Sequence, residues 1–192
     1  FFFDYDLDGR LDLLSANGHI ETEIEKAQPE QRYRQPAQLF WNRGRERSPA
    51  FVPVPESAAG ADLFRPIVGR GSAFADIDSD GDLDVVLTQI GGPPLLLRND
   101  QGLGHHWLRL RLVGSGGNRQ AIGAWVKATV AGETLSRQAM PARGYLSQSE
   151  PEISLGLGRA AGVDAVEIVW PDGKKETVSI SEIDRLVTIR EQ

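Results

Sequence analysis

The chain has no cysteine, one methionine and three histidines among 192 residues. Without cysteine there are no disulfides, no thiolate metal sites and no cysteine nucleophile, although the compartment stays open because many secreted proteins also lack it. No apolar run reaches roughly 18 residues, so no membrane-spanning helix is expected. A basic stripe with interleaved aromatics is also missing, which removes the usual footprint of nucleic-acid binding. Helical periodicity is scarce. In its place stand 21 glycines and 11 prolines spread along the whole length, the punctuation of many short strands and tight turns.

The net charge of −6 is local. Nine of the 27 acidic residues are Asp4, Asp6, Asp8, Asp12, Asp76, Asp78, Asp80, Asp82 and Asp84, and the 18 others are outnumbered by 21 Lys and Arg. These nine occupy two copies of one pattern, Asp4-x-Asp6-x-Asp8-Gly9-x-x-Asp12 and Asp76-x-Asp78-x-Asp80-Gly81-x-x-Asp84. A second match follows each loop, Leu39-Phe40-Trp41-Asn42 answering Leu96-Leu97-Arg98-Asn99. The repeating unit is therefore larger than the loop, and short strands in such a unit point to a propeller or solenoid. The polar stretch 21–35 reads as a surface insertion with room for one helical turn.

Calcium takes six to eight hard oxygens in flexible geometry. Carboxylates at loop positions 1, 3 and 5 can converge on one point, and glycine at position 6 permits the sharp turn. A backbone carbonyl at position 7 and Asp at position 9 complete the shell. The reading assigns Asp4, Asp6, Asp8, Asp12 and the Arg10 carbonyl to one calcium ion, and Asp76, Asp78, Asp80, Asp84 and the Asp82 carbonyl to a second. An EF-hand would need Glu at position 12, where Ser15 and Leu87 stand, and helical flanks where strands are expected. The bland alternative is a pair of acidic turns. Four carboxylates gathered twice without a cation weigh against it.

Past Gly104 the pattern becomes alternating strand-length segments: His106–Val113, Trp125–Val130, Leu135–Met140, Ile153–Leu157, Val163–Trp170 and Leu186–Arg190. Trp170-Pro171-Asp172-Gly173 reads as a hairpin turn between two of them. Trp107, Trp125 and Trp170 are expected in the core, and Trp41 is expected to be partly exposed. His105 and His106, being adjacent on a strand, should point to opposite faces and share no ligand. Neither a Gly-x-Ser-x-Gly elbow nor a phosphate-cradling glycine loop is present, and Ser147 has no histidine near it in sequence, so no catalytic residue is expected. Asn118, Arg119, Tyr145, Ser147 and Gln148 could line a polar groove or tie loops down.

The loop pattern followed by an aliphatic strand resembles the FG-GAP/VCBS repeat. The segments Asn118-Arg119-Gln120-Ala121-Ile122-Gly123-Ala124, Gly144-Tyr145-Leu146-Ser147-Gln148, Gly156-Leu157-Gly158 and Val169-Trp170-Pro171-Asp172-Gly173 resemble the ASPIC/UnbV domain. Their order is similar to the cartilage acidic protein family. The resemblance implies an extracellular calcium-binding propeller followed by a small β domain, of which this chain holds about two blades and reads as a fragment of a longer protein.

The expectation is an all-β chain, with a partial propeller over 1–104 and a small antiparallel sandwich-like domain over 105–192. Its expected function is a secreted, periplasmic or cell-surface binding or adhesion module for a protein or glycan partner. An accessory or catalytic domain of a polysaccharide-acting enzyme and a structural spacer are the alternatives.

Overall fold

The computed structural model describes all residues 1–192. Strands β1 (Phe2–Phe3), β2 (Asp12–Ser15), β3 (Gln38–Asn42) and β4 (Phe51–Pro53) form one antiparallel sheet in chain order. A single helical turn, α1 (Ile24–Ala27), lies in the polar insertion between β2 and β3. A second, α2 (Glu56–Ala59), precedes a three-stranded antiparallel sheet of β5 (Gly69–Ala75), β6 (Asp84–Gln89) and β7 (Leu95–Leu97).

The sequence repeat reappears in strand register. Phe2 pairs with Leu13 and Phe3 with Asp12, as Phe74 pairs with Val85 and Ala75 with Asp84; Leu13 then faces Phe40 as Val85 faces Leu97. Each aspartate loop thus closes the first hairpin of one propeller-like unit, and its position-9 Asp opens the second strand. The two units share one apolar cluster, with Phe3, Leu14 and Leu39 from the first and Phe74, Val85 and Leu87 from the second. Phe3 stacks on Phe74 at 6.0 Å between ring centroids.

A second cluster fills the rest of the chain. It lies between a four-stranded sheet in the order β10 (Glu133–Gln138), β9 (Trp125–Val130), β12 (Ala165–Val169), β13 (Lys175–Val178) and a three-stranded sheet in the order β11 (Ile153–Gly158), β8 (His106–Val113), β14 (Arg185–Arg190). The turn at 170–173 joins β12 to β13, with Gly173 at φ 91° donating its N–H to the Trp170 carbonyl. The two clusters have no residue in common.

Three expectations need correction, one being Trp107, which is half-buried against Gly81 and lies outside the sandwich core. The sandwich is not wholly antiparallel: β14 runs parallel to β8, because the segment after β13 crosses to the other sheet and enters beside β8 on the side away from β11. Trp125 is not core but 44% exposed, since alternation along β9 turns Val126, Ala128 and Val130 inward and leaves the first residue facing water. Trp170 is buried as expected.

Candidate metal centres at the two aspartate loops

In the first loop the turn needs left-handed backbone at Leu7 (φ 57°) and Gly9 (φ 89°), and the second repeats this at Ser79 (φ 65°) and Gly81 (φ 98°). Internal bonds hold each turn in the same way. The position-6 glycine N–H donates to the first carboxylate, Gly9 to Asp4 Oδ2 at 3.0 Å and Gly81 to Asp76 Oδ2 at 3.1 Å. The position-7 N–H donates to the third, Arg10 to Asp8 and Asp82 to Asp80.

The position-9 aspartates are staples. Asp12 accepts the N–H groups of Tyr5 (3.1 Å) and Asn42 (2.7 Å), and Asp84 accepts those of Ile77 (2.9 Å) and Asn99 (2.8 Å). Each loop is thus tied to the backbone at the end of its third strand, at Asn42, the last residue of β3, and at Asn99, two residues past β7. The Asn side chains differ: Asn42 Nδ2 donates to Leu11 O in its own loop, whereas Asn99 Nδ2 donates to Tyr5 O in the other loop.

Carboxylates of Asp4, Asp6 and Asp8 offer oxygens within 4.8 Å of one another, and so do Asp76, Asp78 and Asp84. Asp12 stands outside the first trio. Asp80 groups instead with Asp78 and Asp100, the last not singled out by the sequence. Asp4 and Asp6 are buried, and the Oδ1 atom of each has no hydrogen-bond partner. Two unpartnered buried carboxylate oxygens are costly without a cation and are the donor type that calcium takes. The first loop therefore fits the ion.

Burial, above all, pushes the pKa of Asp4 well up, with Arg137 opposing it; burial also raises Asp6, and takes Asp12 to about 7. In the second loop burial raises Asp80 and takes Asp82 to about 6, against the hydrogen bond that Gln101 Nε2 donates to Asp82.

Several residues at the loops come from beyond residue 104, and no motif places them there. His105 Nδ1 lies 2.6 Å from Asp6 O, whereas His106 pairs with Asp184, so the two histidines share nothing. The Gly158 N–H donates to Leu7 O at 2.8 Å, and Gly156 packs so closely that an added Cβ would lie 2.4 Å from Asp4 Oδ2. Trp107 lies over Gly81. Arg109 bridges Asp76 (2.7 Å) and Glu150, all three side chains largely buried. Arg137 donates to Gly9 O at 3.0 Å and lies 3.8 Å from Asp4 Oδ2.

Polar motif residues serve backbone groups, some across the two halves and some within their own turn. Ser147 Oγ and Ser149 Oγ accept the N–H groups of Ser72 and Phe74 on the free edge of β5, while the Glu150 N–H donates to Phe74 O. Asn118 closes its own turn onto Ile122. His19 Nδ1 accepts the Glu21 N–H.

Residues 4–87 match the FG-GAP-like repeat family and residues 114–192 match the ASPIC and UnbV family. The chain is 31% identical over 123 residues to cartilage acidic protein 1 of Xenopus tropicalis, covering 59% of this chain and 18% of that protein. To the Homo sapiens protein of the same name it is 29% identical over 132 residues, 63% of this chain and 19% of that protein. The chain thus spans about a fifth of the length of the relatives it matches. Both aspartate loops thus lie within the stretch that matches the FG-GAP-like repeat family, most of the β-sandwich lies within the stretch that matches the ASPIC and UnbV family, and the chain is similar to cartilage acidic protein 1.

Proposed function

We propose that this chain is a calcium-stabilised, non-catalytic binding module that works outside the cytoplasm. The observation that carries the reading is the pair of buried, unpartnered oxygens, Asp4 Oδ1 and Asp6 Oδ1, set among converging carboxylates. Asp4, Asp6, Asp8 and Asp12, with the Arg10 carbonyl, would hold one ion; Asp76, Asp78, Asp80 and Asp84, with the Asp82 carbonyl, would hold the other. Calcium supplies charge neutralisation and cross-linking of the turn. Residues 1–104 form the repeat unit and 105–192 the sandwich in this reading.

The name of the matched relatives, cartilage acidic protein 1, supports an extracellular setting, and a protein or glycan partner is part of the proposal. Extracellular calcium modules bind at roughly 10⁻⁴ to 10⁻³ M, which suits millimolar surroundings. Titration calorimetry with calcium and magnesium tests the reading. Two calcium sites are expected, with magnesium a poor substitute because it demands a tighter octahedron. No calcium heat and no calcium-dependent melting shift would reduce the loops to acidic turns.

A further inference from the structure

Both loops lie in the N-terminal half, yet the cation nearest the first carboxylate of each comes from the C-terminal half. Arg137, on β10, lies 3.8 Å from Asp4 Oδ2 and anchors on Gly9 O at 3.0 Å; Arg109, on β8, lies 2.7 Å from Asp76 Oδ2. The two arginines stand on different sheets of the sandwich and reach the same loop position. In both cases the oxygen they approach is the one that already accepts the position-6 glycine N–H. At Asp76 two donors hold Oδ2 while Oδ1 accepts the Ser79 N–H; at Asp4 the Gly9 N–H holds Oδ2, the Arg137 guanidinium faces the same oxygen, and Oδ1 keeps its full capacity. At Asp4 that oxygen is buried and unpartnered.

Neither arginine is a casual surface pair. Arg109 and Arg137 are 5% and 8% exposed, and Arg109 is held from behind by Glu150, whose carboxylate also accepts the Asp76 N–H. The sandwich meets the first loop again through Gly158 and His105, and the second through Trp107. A cation site whose first ligand is oriented from another domain is a composite site.

We propose that Arg137 and Arg109 are positioning residues for the two cation sites, so that calcium binds to the repeats only when the C-terminal domain is docked on them. Calcium in turn tightens that docking. The inference rests on the calcium reading above and makes a further claim about where the sites are built.

Simple electrostatics predicts the opposite sign for one experiment. A guanidinium beside a cation site repels the ion, so removing it should strengthen calcium binding if charge were its whole effect. If the arginine orients the ligand, removing it weakens binding, by about tenfold or more as for other partners that orient metal ligands. Calcium titration of the full chain is therefore run on the parent, Arg137→Gln, Arg137→Lys and Arg109→Gln. Arg137→Gln should weaken one site about tenfold and Arg109→Gln the other, with Arg137→Lys recovering part of the loss. Unchanged or tighter binding in a folded Arg137→Gln variant overturns the proposal.

Hydrogen exchange on the unmutated chain decides the matter if a variant fails to fold. Calcium should slow exchange at the Gly158 and Glu150 amides, which donate across to Leu7 O and Phe74 O. Protection confined to residues 1–104 overturns the proposal and leaves the calcium reading standing. Absence of any calcium heat overturns both.

Discussion

Two loops with the same aspartate pattern have reached different charge balances. In the first, Asp4 and Asp6 are buried with free oxygens, and the nearest guanidinium from the other half contacts Asp4 at 3.8 Å. In the second, Arg109 sits directly on Asp76 and is shared with Glu150, while Asp78 and Asp80 face solvent. One motif therefore supports two arrangements: a buried group of carboxylates with unpartnered oxygens, and a partly compensated one whose outer carboxylates face solvent. Calcium should matter more to the first.

The largest effect should come from breaking the compensated loop. Arg109→Ala leaves Asp76 and Glu150 as buried carboxylates without their counter-charge, and loss of one partner of a buried ion pair costs about 3–5 kcal/mol. Chemical unfolding in chelator should show that loss, and a smaller one for Arg137→Ala, whose pairing is longer. Equal losses would erase the difference between the loops.

Next comes Gly81→Ala. Its φ of 98° is strained for alanine, and the added Cβ would lie 2.2 Å from the Trp107 ring, so the indole must move. A cost of about 3 kcal/mol is expected from overpacking and backbone strain together. Gly158→Ala, also at positive φ but with open space around it, should cost less, which separates strain from crowding.

Calcium itself should add up to about 2.7 kcal/mol per site when free calcium is about a hundred times the dissociation constant. Asp4→Asn should remove more of the calcium-dependent rise in melting temperature than Asp80→Asn. The reverse order would mean that the exposed loop is the tighter site. Asn99, which links the second unit to Tyr5 O, makes a small effect of each loop on the other expected.

Acidity should act in opposite directions on the two forms. Asp12 and Asp82 have pKa values raised to about 7 and about 6 by burial, so between pH 4 and 7 the calcium-free native state holds more protons than the unfolded chain. Stability in chelator should then rise as pH falls from 8 to 5, while the increment given by calcium shrinks because protons compete for the same carboxylates. Melting curves at several pH values check both trends. The smallest effect belongs to Asp100→Ala: its pairing with the exposed Arg98 is solvated, and the melting temperature in chelator should not move measurably.

The sequence made the loops and the strands readable for a simple reason. Loop chemistry is local: carboxylates, a glycine and a following aliphatic run act within a dozen residues, and the register Phe3 to Asp12 and Ala75 to Asp84 repeats faithfully. Partners brought by tertiary folding left no such mark. Arg109 and Arg137 look like ordinary outward strand positions until the sandwich is placed against the repeats. The staple role of Asp12 was equally hidden, since a ligand and a backbone acceptor are the same residue type in the same place. Parallel β14 escaped because alternation reports which face is buried and says nothing about strand direction.

Ser147 and Ser149 cover the edge of β5 with hydroxyls where another strand would offer carbonyls. A free edge in a sheet is a template for pairing with another chain. The same contact that seats the sandwich therefore also guards solubility: when the two halves part, β5 is bared, and the separated repeats should self-associate through it.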